Sequence, residues 1–143
     1  TISDISPKVL KVANKNIKKH NVTKIRTLES DWFNNIQEKE LFDLILTNPP
    51  YISKDDVHLN NLELGYEPSN ALVAANDGFA DIFKIIDTSP KFLNSEGLLM
   101  IEHGNTQGHK VKNYFQQKSF DNIKQHRDIN QKIRVTTASK IKV

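Results

Sequence analysis

Apolar residues fall at helical spacing early in the chain and in short unbroken runs later, and this change of pattern outlines the fold. Thr1 to Asp4 reads as the end of a strand. Ser6 and Pro7 then open a helix, because serine suits the cap and proline suits the first helical position. Val9, Leu10, Val12, Ala13 and Ile17 give that helix an apolar face through about Lys19, and Asn21 ends it. Residues 23–29 (TKIRTLE) alternate polar and apolar, as a strand does. Residues 30–37 (SDWFNNIQ) suit a loop or a short helical turn.

Residues 41–47 (LFDLILT) are too short for an ordinary helix. They suit a strand covered on both faces, as in a parallel sheet. A long polar connection over 53–76 follows, and connections of that length inside a compact domain usually serve a function or lack order. A helix opened by Asp77 runs on to an interruption near Pro90. A second buried strand (EGLLMIEHG) is bounded by glycines, residues 107–118 read as helix, and 121–129 and 132–143 read as a closing pair of strands with a turn near Asn130. Strands alternating with helices indicate an α/β sheet. In such sheets ligands sit beyond the carboxyl ends of the strands, which here carry Asn48 on one and Glu102 with His103 on the other. No repeat, low-complexity tract or linker divides the 143 residues, which read as one unit.

Composition narrows the classes. The net charge is +3, carried mostly by lysine, with arginine only at Arg26, Arg127 and Arg134. That reads as a solvated surface rather than a nucleic-acid patch. With no cysteine there is no disulfide framework and no cysteine-based zinc site, which fits a reducing, cytoplasmic setting. The histidines lack ligand spacing, so no metal is expected. No apolar stretch reaches the roughly 20 residues of a membrane span, so no membrane partner is expected. The chain opens inside a strand-like pattern without a methionine and is expected to be a piece of a longer protein.

The strand at 41–47 runs into Asn48-Pro49-Pro50-Tyr51. Prolines cannot donate to a ladder, so sheet pairing stops there. An asparagine at a strand end can aim its amide oxygen into a crevice. The carbonyl of Pro49 can accept another hydrogen bond, the prolines stiffen the backbone, and Tyr51 offers a flat face. Together these can hold a planar NH2 group with both hydrogens accepted. This suits methyl transfer to an amide or exocyclic amine, whose nitrogen is a poor nucleophile. The help given is positioning plus electrostatic stabilisation. The same string is also ordinary turn punctuation, and only its neighbours decide between the two.

Those neighbours resemble the catalytic domain of the HemK/PrmC-type glutamine methyltransferases, which methylate the glutamine of the Gly-Gly-Gln motif in peptide chain release factors with S-adenosylmethionine. The resemblance covers nearly all 143 residues: SDISPKVLKVANKN, SDWF at 30–33, FDLILTNPPYI at 42–52, YEPSNALVAANDGFADI at 66–82, GLLMIEHGNTQG at 97–108 and RDINQKIRVTTA at 127–138. The tetrapeptide is shared with adenine-N6 methyltransferases. The Glu67-Pro68, Ala71-Leu72, Asp77-Gly78 and Glu102-His103-Gly104 segments are more specific. The resemblance implies that Asp4 accepts the ribose hydroxyls of the cofactor, against an alternative as a plain helix-capping aspartate. It implies that Asp31 and Trp32 lie against the adenine, against a core role for Trp32. Asn48 would touch both cofactor and glutamine. Pro49, Pro50 and Tyr51 would line the substrate amide, with Asn48, Pro49 and Tyr51 as the catalytic set. Glu67 would order a loop over the site, and Glu102 would support rather than act as a base.

The resemblance also implies a Rossmann-like methyltransferase sheet of order 3-2-1-4-5-7-6. Here the first strand and its glycine-rich loop are missing, as is the amino-terminal helical domain, and no Gly-x-Gly occurs in the chain. Residues 1–4 would then be strand two and 41–47 strand four. The expectation is a partial catalytic domain, inactive alone, whose sheet is incomplete, rearranged or completed by another chain. Two other readings stand beside it: a nucleic-acid adenine-N6 methyltransferase, and a non-catalytic interaction domain.

Overall fold

The computed structural model describes residues 1–56, 68–118 and 120–142. The chain divides into two compact units, Thr1–Glu40 and Leu41–Val143.

The first unit follows the sequence pattern closely. Strand β1 (Ile2–Asp4) leads into helix α1 (Pro7–Lys19), and β2 (Thr27–Glu29) returns parallel to β1. Ser6 caps α1, its hydroxyl accepting the Val9 N–H at 3.5 Å, and Pro7 occupies the first turn, where no N–H is needed. Lys18 and Lys19 sit at the last turn, favourable against the carboxyl end of the helix dipole. Asn21 takes a left-handed φ of 53° and stops the helix. The strand expected over 23–29 is only Thr27–Glu29 long, because its partner β1 offers only three residues to pair with.

In the second unit β3 (Phe42–Thr47), β4 (Leu93–Glu102), β5 (Phe120–Arg127) and β6 (Ile133–Lys140) form one sheet in the order β3-β4-β6-β5. β3 is parallel to β4, and both β4–β6 and β5–β6 are antiparallel. Short helices α2 (Ser69–Leu72) and α3 (Ala75–Gly78) precede α4 (Ala80–Thr88), a 3-10 turn follows at Ser89–Lys91, and α5 (Gly108–Gln116) sits between β4 and β5. Ile82, Ile85, Ile86, Leu93, Leu99, Ile101, Val111 and Phe115 are fully or almost fully buried and form the core. The Phe115 and Phe120 rings meet edge to face at 5.1 Å.

Taken separately, the order β1-β2 matches strands two and three of the expected sheet, and the order β3-β4-β6-β5 matches strands four, five, seven and six. Among the described residues β3 pairs only with β4. The expectation that 41–47 is covered on both faces is corrected: Leu44 and Leu46 share a face and are 53% and 70% exposed. The helix expected to open at Asp77 begins instead at Ala80, because Asn76, Asp77 and Gly78 all have positive φ. β4 starts three residues before the predicted Glu96. It crosses an irregularity in register at which Gly97 packs against the Phe42 carbonyl, where a Cβ would come within 3.0 Å.

Candidate functional site

In the first unit the strand ends are tied side by side. Asp4 closes β1, and its carbonyl accepts the N–H of Ser30, the residue after β2. Asp4 Oδ1 accepts the Ser6 N–H at 2.7 Å, so one carboxylate oxygen does serve the helix entry. Ser30 is buried and pins the following turn: its hydroxyl donates to the Trp32 carbonyl at 2.9 Å and accepts the Asn35 N–H at 3.0 Å. Within that turn Asn34 donates to the Asp31 carboxylate at 3.2 Å, and Trp32 is left-handed at φ 51°. Trp32 is half-buried, so it is not a core tryptophan. The unit thus brings Asp4, Asp31 and Trp32 to one end of two parallel strands. A carboxylate suits vicinal hydroxyls, and an indole face with a second carboxylate suits a purine with an amino edge.

In the second unit Asn48 is exposed just past β3, whereas Pro49 is fully buried. The chain after the prolines does not stray. Ile52 donates to the Leu72 carbonyl at 2.9 Å and accepts the Ala74 N–H at 3.0 Å, a one-residue parallel bridge. Tyr51 is held from both ends. Its hydroxyl donates to Glu102 Oε1 at 3.3 Å, and its carbonyl accepts Gln107 Nε2–H at 3.0 Å. Glu102 is thus a hydrogen-bond partner of Tyr51. The left-handed turn is part of this clamp: a Cβ on Gly78 would lie 2.1 Å from the Tyr51 carbonyl oxygen. Only glycine fits that approach and its φ of +84°.

Gln107 has no role in the sequence reading, yet it joins three segments. It is buried, accepts the Gly104 N–H at 2.8 Å, and donates toward the Tyr51 and Gly78 carbonyls. The only sequence signal for it is its place in the GNTQG run after a strand end, where an amide with both donor and acceptor can bridge loops.

His103 is fully buried and locked. Its Nδ1 donates to the Gly104 carbonyl at 2.9 Å, which leaves Nε2 to accept the Thr136 hydroxyl at 2.8 Å. Burial pushes its pKa below the usual value, with the Arg134 charge adding to the effect. A neutral, doubly bonded imidazole of this kind ties the end of β4 to β6. Glu67 lies outside the described residues. No helix among the described residues is long and apolar enough to cross a membrane.

The chain is similar to known proteins in sequence and in fold. The family model described as "Methyltransferase small domain" matches residues 1–64. The release factor glutamine methyltransferase of Pasteurella multocida is 43% identical over 118 residues, covering 82% of this chain and 40% of that protein. That of Haemophilus influenzae is 41% identical over 133 residues, covering 93% of this chain and 44% of that protein. Among solved structures, a methyltransferase from Pyrococcus furiosus aligns with a TM-score of 0.69 at 15% identity, over 97% of this chain and 61% of that one. A putative methyltransferase from Streptococcus mutans, in complex with SAH, aligns at 0.57 and 14% identity, over 97% of this chain and 74% of that one. The chain spans less than half the length of the two bacterial relatives it matches in sequence. By sequence the chain is thus similar to the release factor glutamine methyltransferases over most of its own length, and its fold is the α/β Rossmann-like fold seen in those solved methyltransferase structures.

Proposed function

We propose that the protein transfers a methyl group from S-adenosylmethionine to the side-chain amide of the glutamine in a Gly-Gly-Gln motif of a peptide chain release factor. The observation that carries this is the fixed Asn48-Pro49-Pro50-Tyr51 tetrapeptide at the carboxyl end of β3, held through Tyr51 by Glu102, Gln107 and Gly78. Asn48 and the Pro49 carbonyl would accept the two amide hydrogens, and Pro50 and Tyr51 would line the amide plane. Keeping both hydrogens engaged favours the pyramidal nitrogen that develops during attack. The methylated amide is then acidic enough to lose its proton to water, so no general base is needed. Asp4, Asp31 and Trp32 fit the cofactor's ribose and adenine by their chemistry. When bound, the cofactor would supply a methyl group on a sulfonium.

On this reading the substrate is a protein, and the enzyme works in the cytoplasm without a membrane or nucleic-acid partner. The 143 residues alone are inactive, since β3 has a strand on one side only among the described residues. A second copy of the chain pairing along β3 is the intermolecular completion this reading allows.

The test is calorimetric titration of S-adenosylmethionine into the chain, followed by a methyl-transfer assay on a release factor with any longer form that binds. Saturable binding in the micromolar range, lost in Asp4→Ala, supports the reading. Transfer to DNA adenine instead of the release factor would refute it.

A further inference from the structure

The net charge is not spread evenly along the chain. Residues 1–40 hold eight lysines and arginines against five acidic residues, so the whole +3 is there. Residues 41–143 hold twelve of each sign. Within the first unit the excess is narrower still: between Asp4 and Glu29 stand seven lysines and arginines and no acidic residue. Five of the seven, Lys8, Lys11, Lys15, Lys18 and Lys19, belong to α1. At about 100° per residue they fall within one arc of about 100° on the helix. Leu10, Ala13 and Ile17 lie roughly opposite and are buried or half-buried. All five lysines are exposed, and none has a carboxylate partner among the described residues.

Such a row works against the helix that carries it. Lys11 and Lys15, like Lys15 and Lys19, are four residues apart, and Lys8 and Lys11, like Lys15 and Lys18, are three apart. Like charges at those spacings repel across a helix surface. A face that serves only solvation mixes the two signs, so that opposite charges meet along it. The row is also held in place. The Asn14 side-chain amide donates to the Thr27 hydroxyl at 3.1 Å, which ties α1 to β2. The five ammonium groups therefore spring from one anchored rod, about 16 Å long from Lys8 to Lys19.

The surroundings of the row favour a protein over other polyanions. Lysine lacks the planar fork with which arginine grips a phosphate. Residues 5–28 contain no aromatic side chain on which a base could stack. Val9 and Val12, 50% and 57% exposed, border the row, and a phosphate backbone has no use for them. A lipid boundary takes up larger groups such as leucine or an aromatic ring, and the leucine of α1, Leu10, is buried. A second helix with carboxylates at the same three- and four-residue spacing, and small apolar side chains beside them, meets both the lysines and the valines. We propose that the lysine row of α1 docks an acidic helix of a partner protein. None of these lysines has a part in the methyl-transfer reading, so the two stand or fall separately.

The experiment is an NMR titration of the ¹⁵N-labelled chain with an acetylated, amidated peptide of about 18 residues, long enough to hold a helix. Its glutamates stand at i, i+3, i+7, i+10 and i+11, the spacing of the lysine row, with alanine and valine elsewhere. A twin of the same composition spreads its glutamates around the helix. Amide shifts with the first peptide centre on α1 and fade at high salt. Affinity falls about tenfold for the twin, and about tenfold in Lys15→Glu. Lys91→Glu, at an exposed lysine of the second unit, leaves it unchanged. In the free chain Lys15→Glu sets a carboxylate among Lys11, Lys18 and Lys19, so amide exchange in α1 slows. A row that served folding alone would not lose binding while its helix gained stability. Circular dichroism checks folding, and the two peptides compared on the wild-type chain carry the test if a variant unfolds. Absence of binding, equal affinity for the twin, equal affinity in Lys15→Glu, or shifts centred outside α1 each overturns the proposal. So does tighter binding of poly(U) RNA, or of phosphatidylglycerol vesicles, than of the matched peptide.

Discussion

Residues 1–40 and 41–143 are written in the same alternating strand–helix pattern but are held by different forces. In the first unit only Leu10 and Ser30 are buried, while Val9, Val12 and Ile5 on and before α1 are 50%, 57% and 61% exposed. Its order comes from short-range hydrogen bonds: the Ser6 cap, the Asp4–Ser6 link and the Ser30 turn. A pair of three-residue strands with that little burial is marginal as a structure on its own. The second unit packs α4 and α5 on a four-stranded sheet around a continuous aliphatic and aromatic core. The difference teaches where stability and chemistry reside. Of the residues proposed for the cofactor, Asp4, Asp31 and Trp32 sit on a lightly buried scaffold, whereas Asn48 and the residues proposed for the substrate amide belong to the unit with the larger core.

The sharpest way to break that contrast is at Phe115, which is fully buried and touches Phe120. Phe115→Ala is expected to cost about 3–5 kcal/mol by urea unfolding, and the matching truncation Leu10→Ala, at 8% exposure, less than half of that. Equal losses would mean that the first unit has a core of its own. Next comes the clamp on Tyr51. Gln107→Leu leaves the Gly104 N–H and the Tyr51 carbonyl without their partner and should cost about 1–3 kcal/mol of stability. Gln107→Glu keeps the first bond and not the second, so it should fall between wild type and Gln107→Leu.

The contrast also has a pH signature. His103 is buried neutral, so its folded pKa lies below its unfolded value of 6.5. The unfolded chain takes up the proton first as pH falls. The stabilisation is thus complete above pH 6.5 and is lost as pH drops through the folded pKa. Urea midpoints measured by a probe in the second unit should fall below that pH, and His103→Asn should flatten the dependence. The smallest effect belongs to the first unit: Ser6→Ala removes a long, exposed cap and should cost about 0.5–1 kcal/mol, read as faster amide exchange confined to the first turn of α1. A larger or global loss would show that the cap supports more than its own helix.

Much of this was legible beforehand. Helix α1, strand β3, helix α5 and the closing hairpin follow from periodicity and punctuation, since each is set by neighbours within a few residues. The strand order within each unit follows from matching residues 1–4 and 41–47 to strands two and four. The length of β2 was not legible, because a strand ends where its partner does. Nor was the start of α4, because Asp77 looks like a helix opener until Gly78 has to pass under the Tyr51 carbonyl.

The sequence by itself determined which residue types stand at the strand ends: Asp4 on β1, Asn48 on β3, and Glu102 with His103 on β4 and just beyond it. Chemistry of that kind is a property of single residues and their spacing. The tertiary structure alone decided that Gln107 bridges to Tyr51 across 56 positions, that Thr136 hydrogen-bonds to His103 across 33, and that Arg127 and Arg134 line one cleft with Glu102. Such pairings depend on the order in which the strands lie, which no local pattern encodes. They arise because buried polar groups must find partners wherever packing has brought one within reach.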